Sequence, residues 1–320
     1  MPAQRAREMS FERTVPRTLV HRASVNEVFV TDGSPVGPGR ALIAAQWPRT
    51  HALFHPCDRG HSDPLLLVET FRQAGIYAAH RYNEVPLGHH FVFCDLDIDI
   101  VDPSALKTGG LPLQVILDGT YALDPDKPVT PHRSQARFTA EVEVAGRPCA
   151  RISGGLIVLS PRAYRALRAR RPGRDAPEAA LPPEAAPVAA ALVGRTDPQN
   201  VLLSVLPDAP RGEFLLRLDP DHAGYFEHAC DHVPGVALIE AFRQAAHLTA
   251  QQRTGGPVLL SAATIAFDRY AELEAPVTFT LEEPAPPRPD GHRSRLTATQ
   301  GGTAVGHADL VHIPAPGASA

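Results

Sequence analysis

Glu69-Thr70-Phe71-Arg72-Gln73-Ala74 recurs as Glu240-Ala241-Phe242-Arg243-Gln244-Ala245, an offset of 171 positions. The lead-ins correspond as well, with Asp63-Pro64-Leu65-Leu66-Leu67-Val68 before the first copy and Pro234-Gly235-Val236-Ala237-Leu238-Ile239 before the second. A repeat of this kind means that one structural unit occurs twice, which constrains the architecture before any element is assigned. Outward from the motif the halves keep matching. Upstream lie β-rich stretches, residues 24–30 and 41–46 in the first half, 201–206 and 213–218 in the second. Downstream, residues 91–100 settle into alternating apolar and polar side chains, the mark of a strand with one buried face, and 258–267 is the counterpart. Each half ends in two strands that turn at glycine: 135–144 and 150–159 around Gly146, then 295–300 and 303–313 around Gly301-Gly302. Glycine reaches the positive φ of such turns without steric cost.

The motif itself predicts a helix. Asp63 is a capping residue and Pro64 suits a first turn, where a missing N–H costs nothing; Pro234 is placed to act like Pro64 in the second copy. Across residues 65–79 nearly every face is apolar, so the helix is expected to be buried. One long buried helix with strands before and after it describes a sheet curled around a central helix, whereas a doubly wound α/β fold needs the two to alternate. The predicted fold is α+β, a tandem (double) hotdog, in which each half is an antiparallel sheet wrapped around one long central helix. The expected bounds are a tail at 1–17, a first hotdog domain at 18–160, a Pro/Ala/Arg-rich linker at 161–192, a second hotdog domain at 193–314 and a tail at 315–320. The result is an internal pseudo-dimer, an arrangement compatible with a monomer.

Composition narrows the function. The 320 residues, 43% hydrophobic and 21% charged, hold apolar material for two cores. Lys and Arg number 31 against 35 Asp and Glu, a net charge of -4, so no general attraction to nucleic acid or anionic membrane is expected. No stretch approaches the ~18 apolar residues of a membrane helix. Residues 1–17 lack the apolar core of a secretory signal, so a cytoplasmic protein is expected. Cys57, Cys94, Cys149 and Cys230 are widely spaced, without a CxxC pair, and read as small buried hydrophobes. In the linker, Arg168, Arg170, Arg171 and Arg174 read as solvated, with recruitment of an acidic carrier protein as the functional alternative.

The apolar pattern leaves the repeated glutamate unexplained. Glu69 and Glu240 stand one turn from Arg72 and Arg243, with Gln73 and Gln244 on the same face. A carboxylate withdrawn from water must be paired and hydrogen-bonded, or it takes up a proton. Two roles fit: a Glu–Arg pair that locks the structure, or an acid or base tuned by its cation. Histidines crowd ahead of each helix, His51, His55 and His61 behind Trp47-Pro48-Arg49 in the first half, and His228 and His232 beside Asp231 in the second. The candidate catalytic residues are therefore Glu69, Glu240, Arg72, Arg243, His55, His228 and His232. Candidates for holding substrate are Gln73, Gln244, Trp47, Arg49, Gly235 and Asp231. No closely spaced ligand pair reinforces Cys57 or Cys230, so no metal is expected.

Asp231-His232-Val233-Pro234-Gly235-Val236 running into Glu240-Ala241 resembles elements of the hotdog 3-hydroxyacyl-carrier dehydratases. In those enzymes a histidine before the helix and a glutamate within it act on a carrier-bound acyl chain. His55 precedes Glu69 by 14 residues, as in that pattern; the second half departs, because Phe226 stands 14 residues before Glu240 and either His228 or His232 must substitute. Over both halves the chain is more similar to the A-factor biosynthesis proteins. The similarity lies in Val20-His21-Arg22-Ala23, Glu27-Val28-Phe29, Ala45-Gln46-Trp47-Pro48-Arg49-Thr50-His51, the two helix motifs and Val85-Pro86-Leu87-Gly88-His89. It implies transfer of a 3-oxoacyl group from the phosphopantetheine of acyl carrier protein to the hydroxyl of dihydroxyacetone phosphate, on the way to a γ-butyrolactone-type signal, with no other cofactor.

On that reading Glu69 or Glu240 takes the proton from the attacking hydroxyl, and backbone N–H groups near Leu65 or Gly235 hold the oxyanion. Arg72 and Arg243 either pair with the glutamates or grip the acceptor phosphate, and His55, His228 and His232 orient the thioester carbonyl or relay the proton. Three rivals stand beside it: an acyl-enzyme on Cys57 or Cys230, dehydration or thioester hydrolysis on the same fold, and a non-catalytic regulator that binds an acyl lactone.

Overall fold

The computed structural model of the chain describes residues 6, 8–55, 60–171, 180–282 and 291–315. The chain forms two compact units, Met1–His51 with Ser62–Pro172, and Ala52–His61 with Gly173–Ala320. Among the described residues, 52–55, 60 and 61 of the first half thus fold with the second.

In the first unit six strands, β1 (Val30–Gly37), β2 (Arg40–Trp47), β3 (His90–Ile100), β4 (Leu113–Leu123), β5 (Arg133–Val144) and β6 (Arg147–Leu159), form an antiparallel run in the order β1-β2-β4-β5-β6-β3. The helix α1 (Pro64–Tyr82) packs on β1, β2 and β4. Of the residues from Pro64 to Ala79, all but Arg72 are buried, which agrees with a pattern apolar nearly all round. Asp63 caps α1, its Oδ1 accepting from Leu65 N–H at 2.9 Å, with Pro64 in the first turn. Alternate residues of β5 face inward, and Phe138 among them fills the core against Gly119, where an added Cβ would come within 2.5 Å of its ring. A short helix, α2 (Pro161–Arg168), follows β6 and is capped by Ser160.

The second unit repeats this plan. Strands β7 (Ala186–Pro187), β8 (Leu203–Val205), β9 (Glu213–Leu216), β10 (Val258–Phe267), β11 (Val277–Leu281), β12 (His292–Gln300) and β13 (Thr303–Pro314) run antiparallel in the order β10-β13-β12-β11-β9-β8-β7. The helix α3 (Gly235–Thr254) packs on β8 and β10 to β13, and Gly255 ends it in the left-handed conformation. The α+β architecture of antiparallel sheet around a central helix, present twice, is the one expected.

Several local expectations need correction. Residues 24–30 are not a strand: the Ser24 hydroxyl accepts from Asn26 N–H and sets a 3-10 turn at Val25–Glu27, so β1 begins only at Val30. Pro234 is the N-cap of α3 rather than a first-turn residue, and no side chain caps that end. Of the cysteines, Cys149 is buried as expected, while Cys94 and Cys230 are only partly buried and Cys57 lies outside the described residues. Arg168 is buried rather than solvated, and Arg174 lies outside the described residues. Among the described residues no helix is long and apolar enough to cross a membrane.

Candidate active site

In the first unit Glu69 sits on the buried face of α1 at 1% exposure. Three side chains converge on its carboxylate. Arg22 donates from Nε to Oε1 at 3.0 Å, Arg72 donates to both oxygens at 2.8 and 2.9 Å, and Gln73 Nε2 donates to Oε1 at 2.7 Å. Gln73 also bonds the chain that leads into β1, accepting from Phe29 N–H at 2.8 Å and donating to Glu27 carbonyl at 2.7 Å, while Arg72 reaches the Val20 carbonyl. Burial alone would raise the pKa of Glu69, but the charges and hydrogen bonds of Arg22 and Arg72 outweigh it and hold the carboxyl at about 2.

The second unit builds the same cluster. Glu240 accepts from Arg195 Nε at 2.7 Å, from Arg243 at 2.6 and 2.7 Å, and from Gln244 Nε2 at 2.7 Å. Gln244 accepts from Leu202 N–H and donates to Asn200 carbonyl; Arg243 bonds the Val193 carbonyl. Burial opposes ionisation here as well, and Arg195 and Arg243 again hold the carboxyl below its ordinary range. Arg195 also donates to Leu53 carbonyl at 3.1 Å, within the same unit. The clusters differ in access: the Arg72 side chain is 21% exposed, whereas Arg195 and Arg243 are at 3% and 7%.

The structure therefore joins each expected Glu, Arg and Gln, and adds an arginine that the sequence reading did not place there. Its signal was present: Leu19-Val20-His21-Arg22 recurs as Leu192-Val193-Gly194-Arg195, an offset of 173. Both copies precede a 3-10 turn, at Val25–Glu27 and at Pro198–Asn200.

The remaining candidates lie elsewhere. His232, just ahead of α3, is held through Nδ1 by Asp231 Oδ1 at 2.7 Å and meets the Tyr270 ring edge-on. Three residues on, Gly235 is exposed, with open space where a side chain would stand, and opens a helix end that no side chain caps. His228 is exposed beside Cys230, with the thiol sulfur 3.5 Å from Nδ1. His51 pairs with Glu27 at 3.1 Å, and His61 is buried. His55 belongs to the second unit, Glu69 to the first. Trp47 is a core residue whose indole N–H donates to Thr70 Oγ1 at 2.7 Å, and Arg49 is exposed. No set of three His, Cys, Asp or Glu among the described residues is arranged to hold a metal ion.

The sequence matches the family model described as the A-factor biosynthesis hotdog domain twice, over residues 3–160 and 177–314. A 2-oxo-3-(phosphooxy)propyl 3-oxoalkanoate synthase from Streptomyces virginiae is 36% identical over 294 residues, covering 91% of this chain and 95% of that protein. A protein of the same name from Streptomyces coelicolor is 33% identical over 302 residues, covering 92% and 91%. Among solved structures, the 12:0-ACP thioesterase from Umbellularia californica superposes with a TM-score of 0.50 over 86% of this chain and 98% of that one, and at 10% identity attests to the fold alone. With both halves matched and relatives similar along nearly their whole length, the chain belongs to the A-factor biosynthesis hotdog family.

Proposed function

We propose that this protein is an acyltransferase that makes the ester 2-oxo-3-(phosphooxy)propyl 3-oxoalkanoate from a 3-oxoacyl thioester of acyl carrier protein and dihydroxyacetone phosphate. The observation that carries this reading is the similarity, over nine-tenths of the chain, to synthases of that ester. The acceptor hydroxyl oxygen attacks the thioester carbonyl, the C–S bond breaks, and the hydroxyl proton passes through a base to the departing carrier thiolate. We place the enzyme in the cytoplasm, with its carrier.

We assign the labour differently from the expectation that a glutamate is the base. A carboxyl held at about 2 has little capacity to accept a proton near neutrality, and Glu69 already receives four hydrogen bonds. We assign Glu69 and Glu240 to fixing the arginines and the chain ahead of the first strands. Arg72 and Arg243 spend Nε and Nη2 on those glutamates, which supports pairing over a grip on phosphate. The base we assign is His232. Asp231 occupies its Nδ1, which leaves Nε2 to take the proton. The oxyanion is assigned to the open start of α3 at Gly235, where unsatisfied N–H groups and the helix dipole favour negative charge. The start of α1 is unsuited, because Asp63 already occupies Leu65 N–H.

Incubation with a 3-oxoacyl carrier and dihydroxyacetone phosphate, followed by mass analysis, should yield the phosphorylated ester. Free 3-oxo acid, formed whether or not acceptor is present, would reject the transfer reading in favour of hydrolysis, and conversion of a separately supplied 3-hydroxyacyl carrier to the enoyl thioester would reject it in favour of dehydration.

A further inference from the structure

The inner face of the second unit carries three histidines, His247 on α3, His292 on β12 and His312 on β13, at 4%, 4% and 0% exposure. The internal repeat supplies a control for them. Where β12 and β13 pair His292 with His312, β5 and β6 pair Ala136 with Leu156. At the helix offset of 171, His247 takes the place of Ile76. Two residues along β12, Ser294 stands where β5 has Phe138. One copy of the fold therefore fills this region with Ile76, Ala136, Phe138 and Leu156, and the other with three imidazoles and a hydroxyl.

Packing alone does not account for the change. His247 Nε2, His292 Nε2, both nitrogens of His312, Ser294 Oγ and Gln251 Oε1, one turn beyond His247, are buried without a hydrogen-bond partner in the protein. Each such atom costs free energy unless something bonds it. The rings lie close, those of His247 and His312 with centroids 5.6 Å apart and edge to face. Gly194, in the left-handed conformation, lets the His247 ring pack directly against the backbone, since a Cβ there would stand 2.9 Å from its Cε1 and 3.0 Å from its Nε2. The first unit has His21 at that position, also at positive φ. Charge selects the ligand class. Burial keeps His247 and His312 neutral, and the cations Arg243 and Arg195 act on His247, as Arg253 does on His292. A metal cation is disfavoured there. Neutral imidazole offers one donor and one acceptor, the complement of an oxygen that both donates and accepts.

We propose that His247, His292 and His312, with Ser294 and Gln251, form a buried site for uncharged hydroxyl-type oxygen, supplied by internal water or by a small hydroxylated molecule. A water so placed makes two to four bonds to otherwise unpaired groups.

The test is solution NMR on the full chain with isotope-labelled histidine. In plain buffer, cross-relaxation between the ring protons of these histidines and long-lived water is expected. The same spectra with ethylene glycol added separate the sources: persistence of the water signal identifies water, and its replacement by glycol signals identifies an exchangeable hydroxyl ligand. Both signals should vanish in the variant His292→Ala with His312→Leu, which carries the first unit's own residues. Should that variant fail to fold, the spectra of the unaltered protein decide alone. Absence of water and glycol signals, with the ring nitrogens bonded to protein groups, would overturn the proposal. So would stoichiometric Co2+ binding with a d–d absorption band that His312→Leu abolishes, since the site would then be a metal site.

Discussion

Glu240 accepts four hydrogen bonds at 2.6–2.7 Å, three of them from Arg195 and Arg243, so removing its charge strands two buried cations. Glu240→Gln is expected to destabilise the protein by about 3–5 kcal/mol, the cost of breaking a buried ion pair from one side, measured by denaturant unfolding. Activity that survives in the folded fraction would agree with a positioning role, whereas full stability with abolished turnover would restore the glutamate as base. His232→Ala should do the reverse. About a quarter exposed and bonded through Asp231, this ring is expected to cost little stability and roughly 100-fold or more in turnover, the range for a lost general base. Kinetics and thermal unfolding on one preparation would check both.

At the level of elements, the two central helices share a motif but differ at their starts. Asp63→Ala removes the cap of α1 and is expected to cost about 1 kcal/mol with turnover per folded molecule unchanged. Pro234→Asp would place an acceptor at the open end of α3; stability should rise by about 1 kcal/mol while turnover falls, because the N–H groups assigned to the oxyanion become occupied. Unchanged turnover would remove the oxyanion from that helix end. The helices were legible because a buried, nearly all-apolar segment with a repeated Glu and Arg has few structural explanations. The strand at Leu113–Leu123 was not read at all, and residues 24–30 were misread, since local capping by Ser24 overrode β propensity. Neither Arg22, legible only within a matching stretch, nor Arg195 is tied to its glutamate by spacing, because each sits in irregular chain, 45 or more positions from the glutamate it bonds. Nearness to a helix start singles out His228 and His232, whereas His292 and His312 lie on strands far from the helix in sequence, where spacing carries no signal.

The molecule as a whole should be sensitive to acid. Burial, with Arg243 adding to it, lowers His247 to about 3; Glu240 opposes this and Arg195 reinforces it. Burial likewise lowers His312 well below its ordinary value, helped by His247, Arg243 and His292. An unfolded histidine binds its proton near pH 6.5, so below that pH the unfolded chain holds more protons and stability falls. Each of these two groups is expected to contribute about 1.4 kcal/mol per pH unit of decline below pH 6.5, continuing for His247 to about pH 3. Glu69 acts in the same direction at lower pH: its contribution, present above about 4.5, is lost as pH falls toward about 2. Urea midpoints at pH 7 and pH 5 would test the histidine part. A midpoint that does not move would mean that these rings are solvated.

Residues 52–55, 60 and 61 come from the first copy of the repeat yet fold with the second, where Leu53 and Ala52 lend carbonyls to Arg195 and Asn200. Ancestry and autonomy thus part company: the seam left by gene duplication is not the seam along which the polypeptide can be cut. A fragment spanning 173–320 would inherit a whole copy by descent but begin life missing a borrowed strap, and should resist folding unless a peptide of residues 52–61 is supplied or grafted on.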